Sequence, residues 1–336
     1  MFNAKEIKEY ALECGADVCG IGNIERYEGA PIQFDPRQIM PEAKSIVVLG
    51  FRVFRGLLRG IEEGTAFEEY ASMGYCAQNH IRMPMALWNF GKIFEDNGYE
   101  AFLVPNDQLW SAYHVHGGFM KKNWSRPVAP GKAAPDVWIN HRIAAYIAGL
   151  GEIGWSQMFL SPVFGPRARY CCLITEAELE PDPLVEPGTI CDKCMCCVKE
   201  CSGKAISKTE SVKVTIAGKQ LEWGKLDLKK CLAGLSGRTI PEDQLGKSFE
   251  DGWPDESKWT KNETNPFITQ PPGVPFKGYG NAVEGAKGCM RACMIHLEQQ
   301  GKLSNKFKMP FRRRKPWKLE IGEAPSATSN DIETHH

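Results

Sequence analysis

Five cysteines fall within eleven positions in CDKCMCCVKEC, residues 191 to 201. With Cys196 set aside, Cys191, Cys194, Cys197 and Cys201 stand at C-x2-C-x2-C-x3-C, the spacing of a 4Fe–4S thiolate run. A cubane needs four thiolates converging on a small object. A tight loop delivers three of them from i, i+3 and i+6, and the fourth comes from elsewhere in the chain. Zinc is the competing occupant, but zinc ribbons favour two separated C-x2-C pairs, and three cysteines at x2-x2 crowd one loop. Downstream, Cys231, Cys289 and Cys293 supply further thiols, the last two at the x3 spacing that closes the first run.

In two-cluster ferredoxins the fourth cysteine of the run serves the other cluster. By that logic Cys191, Cys194, Cys197 and Cys293 hold one cluster, and Cys201, Cys231, Cys289 and one more ligand hold the second. The position three before Cys289 is Ala286, so spacing leaves the last ligand open. Cys196 and His296 are the candidates, and a three-iron cluster is the alternative. The expected cofactors are thus two iron–sulfur clusters, at least one of them 4Fe–4S.

Several elements must position these thiols. Ile7, Tyr10, Ala11 and Cys14 have helical spacing, and GADVCGIG turns from that helix into a strand. AKSIVVLGF, 43 to 51, reads as a strand covered on both faces. Residues 77 to 97 carry a helical apolar pattern closed at Asn97-Gly98, and YEAFLVP follows as a strand. Another helix is expected over 137 to 151, with Asp136 as N-cap and Gly149 or Gly151 as its stop. ARYCCLITEAEL, 168 to 179, is a strand whose adjacent Cys171 and Cys172 must point to opposite faces, which makes both of them core residues.

EPDPLVEPG, 180 to 188, is the clearest boundary. It separates an α/β domain, 1 to 183, from a cysteine module, 184 to 310, and a basic tail, 311 to 336. Residues 240 to 280 form a long irregular connection of the kind that covers a site.

Lys plus Arg and Asp plus Glu balance at 41 each, which weighs against nucleic acid as a partner. One local exception runs from Lys302 to Lys318, eight basic residues without an acid, read as a solvated tail. No apolar run approaches the roughly 18 residues of a membrane span, and no export signal precedes the first helix, so a cytoplasmic protein without membrane insertion is expected. In a reducing compartment clustered cysteines are metal thiolates sooner than disulfides.

The order of blocks adds a family. AGLGEIGWSQMFLSPVFGPRARYCCLITEAELEPD, 148 to 182, FDPRQIMPEAKSIVVLGF, 34 to 51, the cysteine run and the isolated Cys231 together resemble the cobalamin-dependent iron–sulfur reductases, the superfamily of reductive dehalogenases and epoxyqueuosine reductases. That resemblance implies an α+β protein, a nitroreductase-like corrinoid-binding α/β core followed by a ferredoxin-like two-cluster iron–sulfur module. It implies base-off cobalamin as a further cofactor and a low-potential electron donor such as ferredoxin or flavodoxin. The glycines Gly149, Gly151, Gly154 and Gly165 would let backbone approach the macrocycle, with Ser161, Phe164 and Arg167 of the SPVFGPR loop beside its rim.

GLGEIG and FGPRAR look closer to the dehalogenases. The chain lacks the GRDYH-like block of the epoxyqueuosine reductases, and MGYCAQNH, 73 to 80, occupies about that region. It also departs from both arms at CSGKAI, where a proline is expected after the fourth cysteine. Reductive cleavage or deoxygenation of a small organic molecule is the expected reaction. Epoxyqueuosine reduction on tRNA is one alternative, and an electron-transfer protein or corrinoid-reducing activator is another. Such chemistry needs a proton source, for which Tyr113 is the candidate, with His141 or Arg142 stabilising developing negative charge.

Overall fold

A computed structural model describes residues 3–66, 69–106, 127–135, 137–201, 203–227, 230–231, 238–239, 260–261 and 288–312. Its architecture is mixed α and β. Helix α1 (Ala4–Glu13) starts where the Asn3 side chain accepts the Glu6 amide at 2.9 Å, and it buries Ile7 and Ala11. Strand β1 (Val18–Asn23) follows, then a series of short 3₁₀ turns leads to β2 (Ser45–Arg52). The run predicted as doubly covered is buried from Ser45 to Phe51.

The central sheet has the order β1-β2-β6-β3, with β3 at Phe102–Val104 and β6 at Ala168–Thr175, and every pairing is antiparallel. The two-residue period of β2 divides its side chains between two cores. Val47, Leu49 and Phe51 pack with Cys171 beside α1 and α3 (Met83–Asp96). Ile46 and Val48 pack with Cys172 beside α4 (His141–Ile147). Cys171 and Cys172 therefore occupy opposite faces, both fully buried.

Two elements differ from expectation. Helix α4 starts four residues late: the Trp138 amide donates to the Gln33 carbonyl at 2.9 Å, which holds 138 out of the helix, and Asn140 caps instead, accepting from the Arg142 and Ile143 amides. Asp136 lies outside the described residues. Before α3 the chain winds as two π-helical stretches, Tyr70–Cys76 and Gln78–Arg82. Residues five apart diverge by about 140° on an α-helix, whereas i→i+5 hydrogen bonding stacks them. Tyr70 and Tyr75 accordingly meet edge to face at 6.5 Å.

After the small hairpin of β4 (Glu152–Ile153) and β5 (Phe159–Leu160), the chain forms β6 and enters the proline-rich segment. That segment is stitched to β1, because Asp182 accepts the Ile21 amide at 2.9 Å and pairs with Lys8 at 2.5 Å. Helix α5 (Cys196–Lys199) sits within the cysteine run. A long hairpin, β7 (Ile206–Ile216) and β8 (Lys219–Leu226), follows it. No sequence expectation covered this hairpin. Its two-residue turn places Ala217 and Gly218 at positive φ, the primed geometry that matches strand twist, but without the Asn-Gly pair that usually announces it. Leu221 joins the α4-side core with Val214, Ile216 and Trp223 packed against it, so the cysteine module and the α/β domain share one core.

Helix α6 (Cys289–Gln299) carries the last two cysteines. A strap to residue 312 then folds back on the body. The Arg55 guanidinium lies 3.5 Å from the Phe307 ring, Phe311 is buried, and Arg312 pairs with Glu62. The expected solvated basic tail is thus docked through Arg312, because Arg55, Arg59 and Glu62 offer its aromatic and cationic groups partners. Residues 313–318 of that run lie outside the described residues. Among the described residues no helix is long and apolar enough to cross a membrane.

Candidate metal centre and active site

The thiols sort into two adjoining groups. Cys293 lies within electrostatic reach first of Cys191, Cys197 and Cys194 and then of Cys289. Cys289 lies within reach first of Cys231 and Cys201 and then of Cys197, and Cys231 within reach of Cys201. Two features of local structure bring this about. Cys289 and Cys293 stand four apart on α6, on one face. Around Cys194, Lys193 and Met195 adopt left-handed backbone (φ 54° and 60°), which bends the loop tightly enough to point thiols inward.

The loop is anchored by Glu152. This carboxylate is 1 % exposed and accepts the amides of Gly188 at 2.6 Å, Ile190 at 2.7 Å and Cys191. Replacing Glu152 with alanine should leave three amides without their acceptor. With charge-assisted bonds worth about 1.5–3 kcal/mol each and only partial replacement by water, we expect a loss of about 2–4 kcal/mol in chemical denaturation and a sharp fall in bound iron. An unchanged midpoint with full iron content would show the anchor to be dispensable.

The donor set fits iron–sulfur clusters. Trp155 and Ala205 direct backbone amides at Cys191 Sγ and Cys201 Sγ, each at 3.4 Å, the kind of N–H···S contact that tunes cluster potential. Burial pushes Cys194 and Cys289 up to about 12 and Cys197 up to about 11, so loading metal must displace protons. The two candidates for the missing ligand of the second group are elsewhere. Cys196 lies beside Cys194 and His296, on the first group's side, just after the left-handed bend at Met195. Among the described residues the second group therefore comprises Cys201, Cys231 and Cys289.

At the glycines read as a corrinoid cradle, neighbouring protein fills the side-chain space. A Cβ on Gly149 would meet the Pro183 carbonyl at 2.4 Å, and one on Gly151 the Leu160 carbonyl at 2.0 Å. Gly154 packs on Leu160 and Gly165 on Leu297 and Leu303. Ser161 accepts the Val163 and Phe164 amides, and Phe164 is buried. Arg167, 1 % exposed, donates to Val53 O and Asn305 Oδ1. Ser161, Phe164, Gly165 and Arg167 do gather in one turn, but that turn fits structural closure against α6 and the strap, and a corrinoid rim would have to displace these contacts. Open space lies instead beside α4, in a hollow of about 620 Å³ reaching His141 and another of about 440 Å³ under Trp223.

Of the catalytic candidates, Tyr113 lies outside the described residues. His141 and Arg142, adjacent at the start of α4, serve different surroundings. His141 Nε2 donates to the Pro105 carbonyl at 3.0 Å, its Nδ1 faces Cys172 Sγ at 3.8 Å, and burial pushes its pKa down to about 4. It is neutral at physiological pH and holds no positive charge for an anion. The unfolded chain takes up this proton near 6.5 and the folded chain only near 4. The stabilisation is therefore complete above pH 6.5 and is lost as pH falls through that window. A His141→Gln variant should show a flatter fall in melting temperature between pH 6.5 and 4, and a slope equal to the parent's would refute the assignment.

Arg142 instead lies within electrostatic reach of Cys231, Cys289, Tyr75 and Arg169. Arg169 sits 3.7 Å over the Tyr75 ring, donates to Gly74 O at 3.0 Å and reaches Tyr70 Oη at 3.3 Å. Tyr70 in turn lies near Cys289. Arg142 and Tyr70 thus lie near the second thiol group, with Tyr75 and Arg169 stacked beside them. Sequence reasoning missed Tyr70, Tyr75 and Arg169. The available signals were MGYCAQNH, which holds Tyr75 without matching a motif, and FGPRAR, which ends on Arg169.

No family model matches the chain. A stretch of 91 residues is 32 % identical to the tetrachloroethene reductive dehalogenase of Sulfurospirillum multivorans, covering 25 % of this chain and 18 % of that protein. Among solved structures, a reductive dehalogenase described in terms of B12-dependent dehalogenation aligns over 99 % of this chain and 42 % of its own, at 18 % identity and a TM-score of 0.49. An epoxyqueuosine reductase bound to a tRNA-Tyr stem loop aligns over 89 % and 82 %, at 15 % identity and a TM-score of 0.43.

The structural neighbours are reductive dehalogenases and epoxyqueuosine reductases. The chain spans less than half the length of the reductive dehalogenases it matches. The expectation against a nucleic-acid partner is not supported, because balanced overall charge is no bar to a local contact.

Proposed function

We propose that this chain is an iron–sulfur and corrinoid-dependent reductase that cleaves or deoxygenates a small organic substrate, in the manner of a reductive dehalogenase. The observation that carries the proposal is the gathering of seven thiols from distant segments into two adjoining groups, with Arg142 and Tyr70 near the second. A simple electron carrier has no use for that cluster of cations and phenols. In this reading residues 1–183 form a nitroreductase-like core and 184–310 a ferredoxin-like module. Electrons from a low-potential ferredoxin or flavodoxin enter at the 191–201 loop, where Asp192 and Lys193 are exposed, and pass from the first group to the second.

The corrinoid rests on the resemblance of the 34–51 and 148–182 blocks. When bound, base-off cobalamin would supply a strong nucleophile or one-electron reductant. The protein's share is distinct. Tyr75 holds a transferable proton, Arg169 fixes its ring by stacking on it, and Arg142 stabilises negative charge that develops nearby.

Anaerobic purification from corrinoid-supplied cells tests the proposal. About eight irons, as expected for two cubanes, with one cobalt and a base-off Co(II) resonance are the expected result. Cys293→Ser should abolish the first cluster's signal. Iron without cobalt, even after reconstitution with cobalamin, would overturn the corrinoid and leave an electron-transfer protein. A substrate screen with a chlorinated ethene, a brominated phenol and an epoxyqueuosine tRNA stem loop then separates the dehalogenase reading from the tRNA one.

A further inference from the structure

Cys196 is the cysteine that the cluster spacing leaves over, and the structure gives it company. Its Sγ, the Cys194 Sγ and a ring nitrogen of His296 all lie within 4.8 Å of one another. Ligand atoms about 2.0–2.3 Å from a tetrahedral ion stand roughly 3.5–3.8 Å apart, so modest side-chain movement closes the set. His296 is also oriented. Its Nε2 is bonded to Asp192 Oδ2 at 2.7 Å, the carboxylate–histidine pairing that fixes the tautomer of metal-ligating histidines. All three ligands are half-buried at the rim of the loop, where an ion can enter and a water can fill a fourth position.

We infer that Cys194, Cys196 and His296, with Asp192 behind the imidazole, form a separate mononuclear site for a soft divalent cation, zinc by its two-sulfur, one-nitrogen donor set. Cys194 is shared with the first thiol group, so the ion and the iron–sulfur cluster exclude one another. This exclusion rests on the cluster assignment proposed above; the site itself does not. Binding one ion converts two thiols to thiolates and releases two protons to the solvent. The site orders the 191–197 loop and protects its thiols in the cluster-free chain, and cluster assembly displaces the ion.

The test uses the full-length, reduced, metal-free chain and Co²⁺ as the probe, followed by displacement with Zn²⁺. One equivalent should bind with thiolate-to-cobalt charge transfer and tetrahedral d–d bands. Cys196→Ser and His296→Ala should each weaken binding at least about tenfold, while Cys191→Ser and Cys293→Ser leave it unchanged. Equal weakening by Cys191→Ser and Cys293→Ser would place the ion in the four-thiol set and overturn the inference, as would a Cys196→Ser chain that binds Co²⁺ normally. Iron–sulfur reconstitution of Cys196→Ser supplies the second readout. A full first cluster is expected, and its loss would make Cys196 a cluster ligand instead. Failure of the wild-type chain to form any cluster would sink the proposed function and leave the Co²⁺ ranking intact.

Discussion

Replacing Tyr75 with phenylalanine should lower turnover about 10²- to 10⁴-fold, the range for losing a positioned general acid, at unchanged iron content. The substitution keeps the ring on which Arg169 stacks at 3.7 Å and the edge-to-face contact with Tyr70, so packing is preserved and only the hydroxyl is lost. Arg169 is itself held, by Gly74 O and Tyr70 Oη, and cannot swing in to substitute. The measurement is reoxidation of the pre-reduced enzyme by whichever substrate the wild-type protein accepts, with iron and cobalt determined on the same sample. Activity within twofold of wild type would remove Tyr75 from the mechanism and return the role of proton donor to Tyr113.

Replacing Glu62 with leucine should cost about 3–5 kcal/mol, the penalty for stranding a buried charge. Glu62 of α2 (Arg59–Glu63) is 2 % exposed and holds Arg291, 3 % exposed, at 2.8 and 2.9 Å, and also Arg312 at 3.0 Å. Arg312 extends the network toward Glu200 at 3.8 Å. Arg291 lies between Cys289 and Cys293, and Glu200 adjoins Cys201, so the network ties both thiol groups to α2 and the strap. The double variant Glu62→Leu with Arg291→Met should recover much of the loss, because it removes both buried charges of the pair. Urea denaturation of the metal-free chain measures both. Equal destabilisation by the single and double variants would show that packing, and not charge, is what Glu62 provides.

The cysteine run was legible in sequence because ligand spacing within a loop is a local property. The same holds for β2, whose unbroken apolar run admits only a doubly covered strand, and for Cys171 and Cys172, whose alternation follows from strand geometry. The x3 relation of Cys289 to Cys293 returns as two positions on one face of α6. Where a rule needed one local cue that was absent, it failed: Ala217-Gly218 forms a primed turn that its residues do not announce, and β7 and β8 went unseen.

Tertiary structure alone decided the rest. Cys196 and His296 were both candidates for the second group by count, yet Cys196, just after a left-handed bend at Met195, lies with the first. At the glycines of 149 to 165, Pro183, Leu160 and Leu303 fill the space a side chain would need, which no local pattern announced. Tyr75, Arg142 and Arg169 come from a π-helical stretch, a helix start and a strand. No spacing rule connects them, because their convergence depends on how the sheet and its helices pack over long sequence separations. Local spacing determined which chemistry the thiols can do, and packing determined which side chains stand beside them to use it.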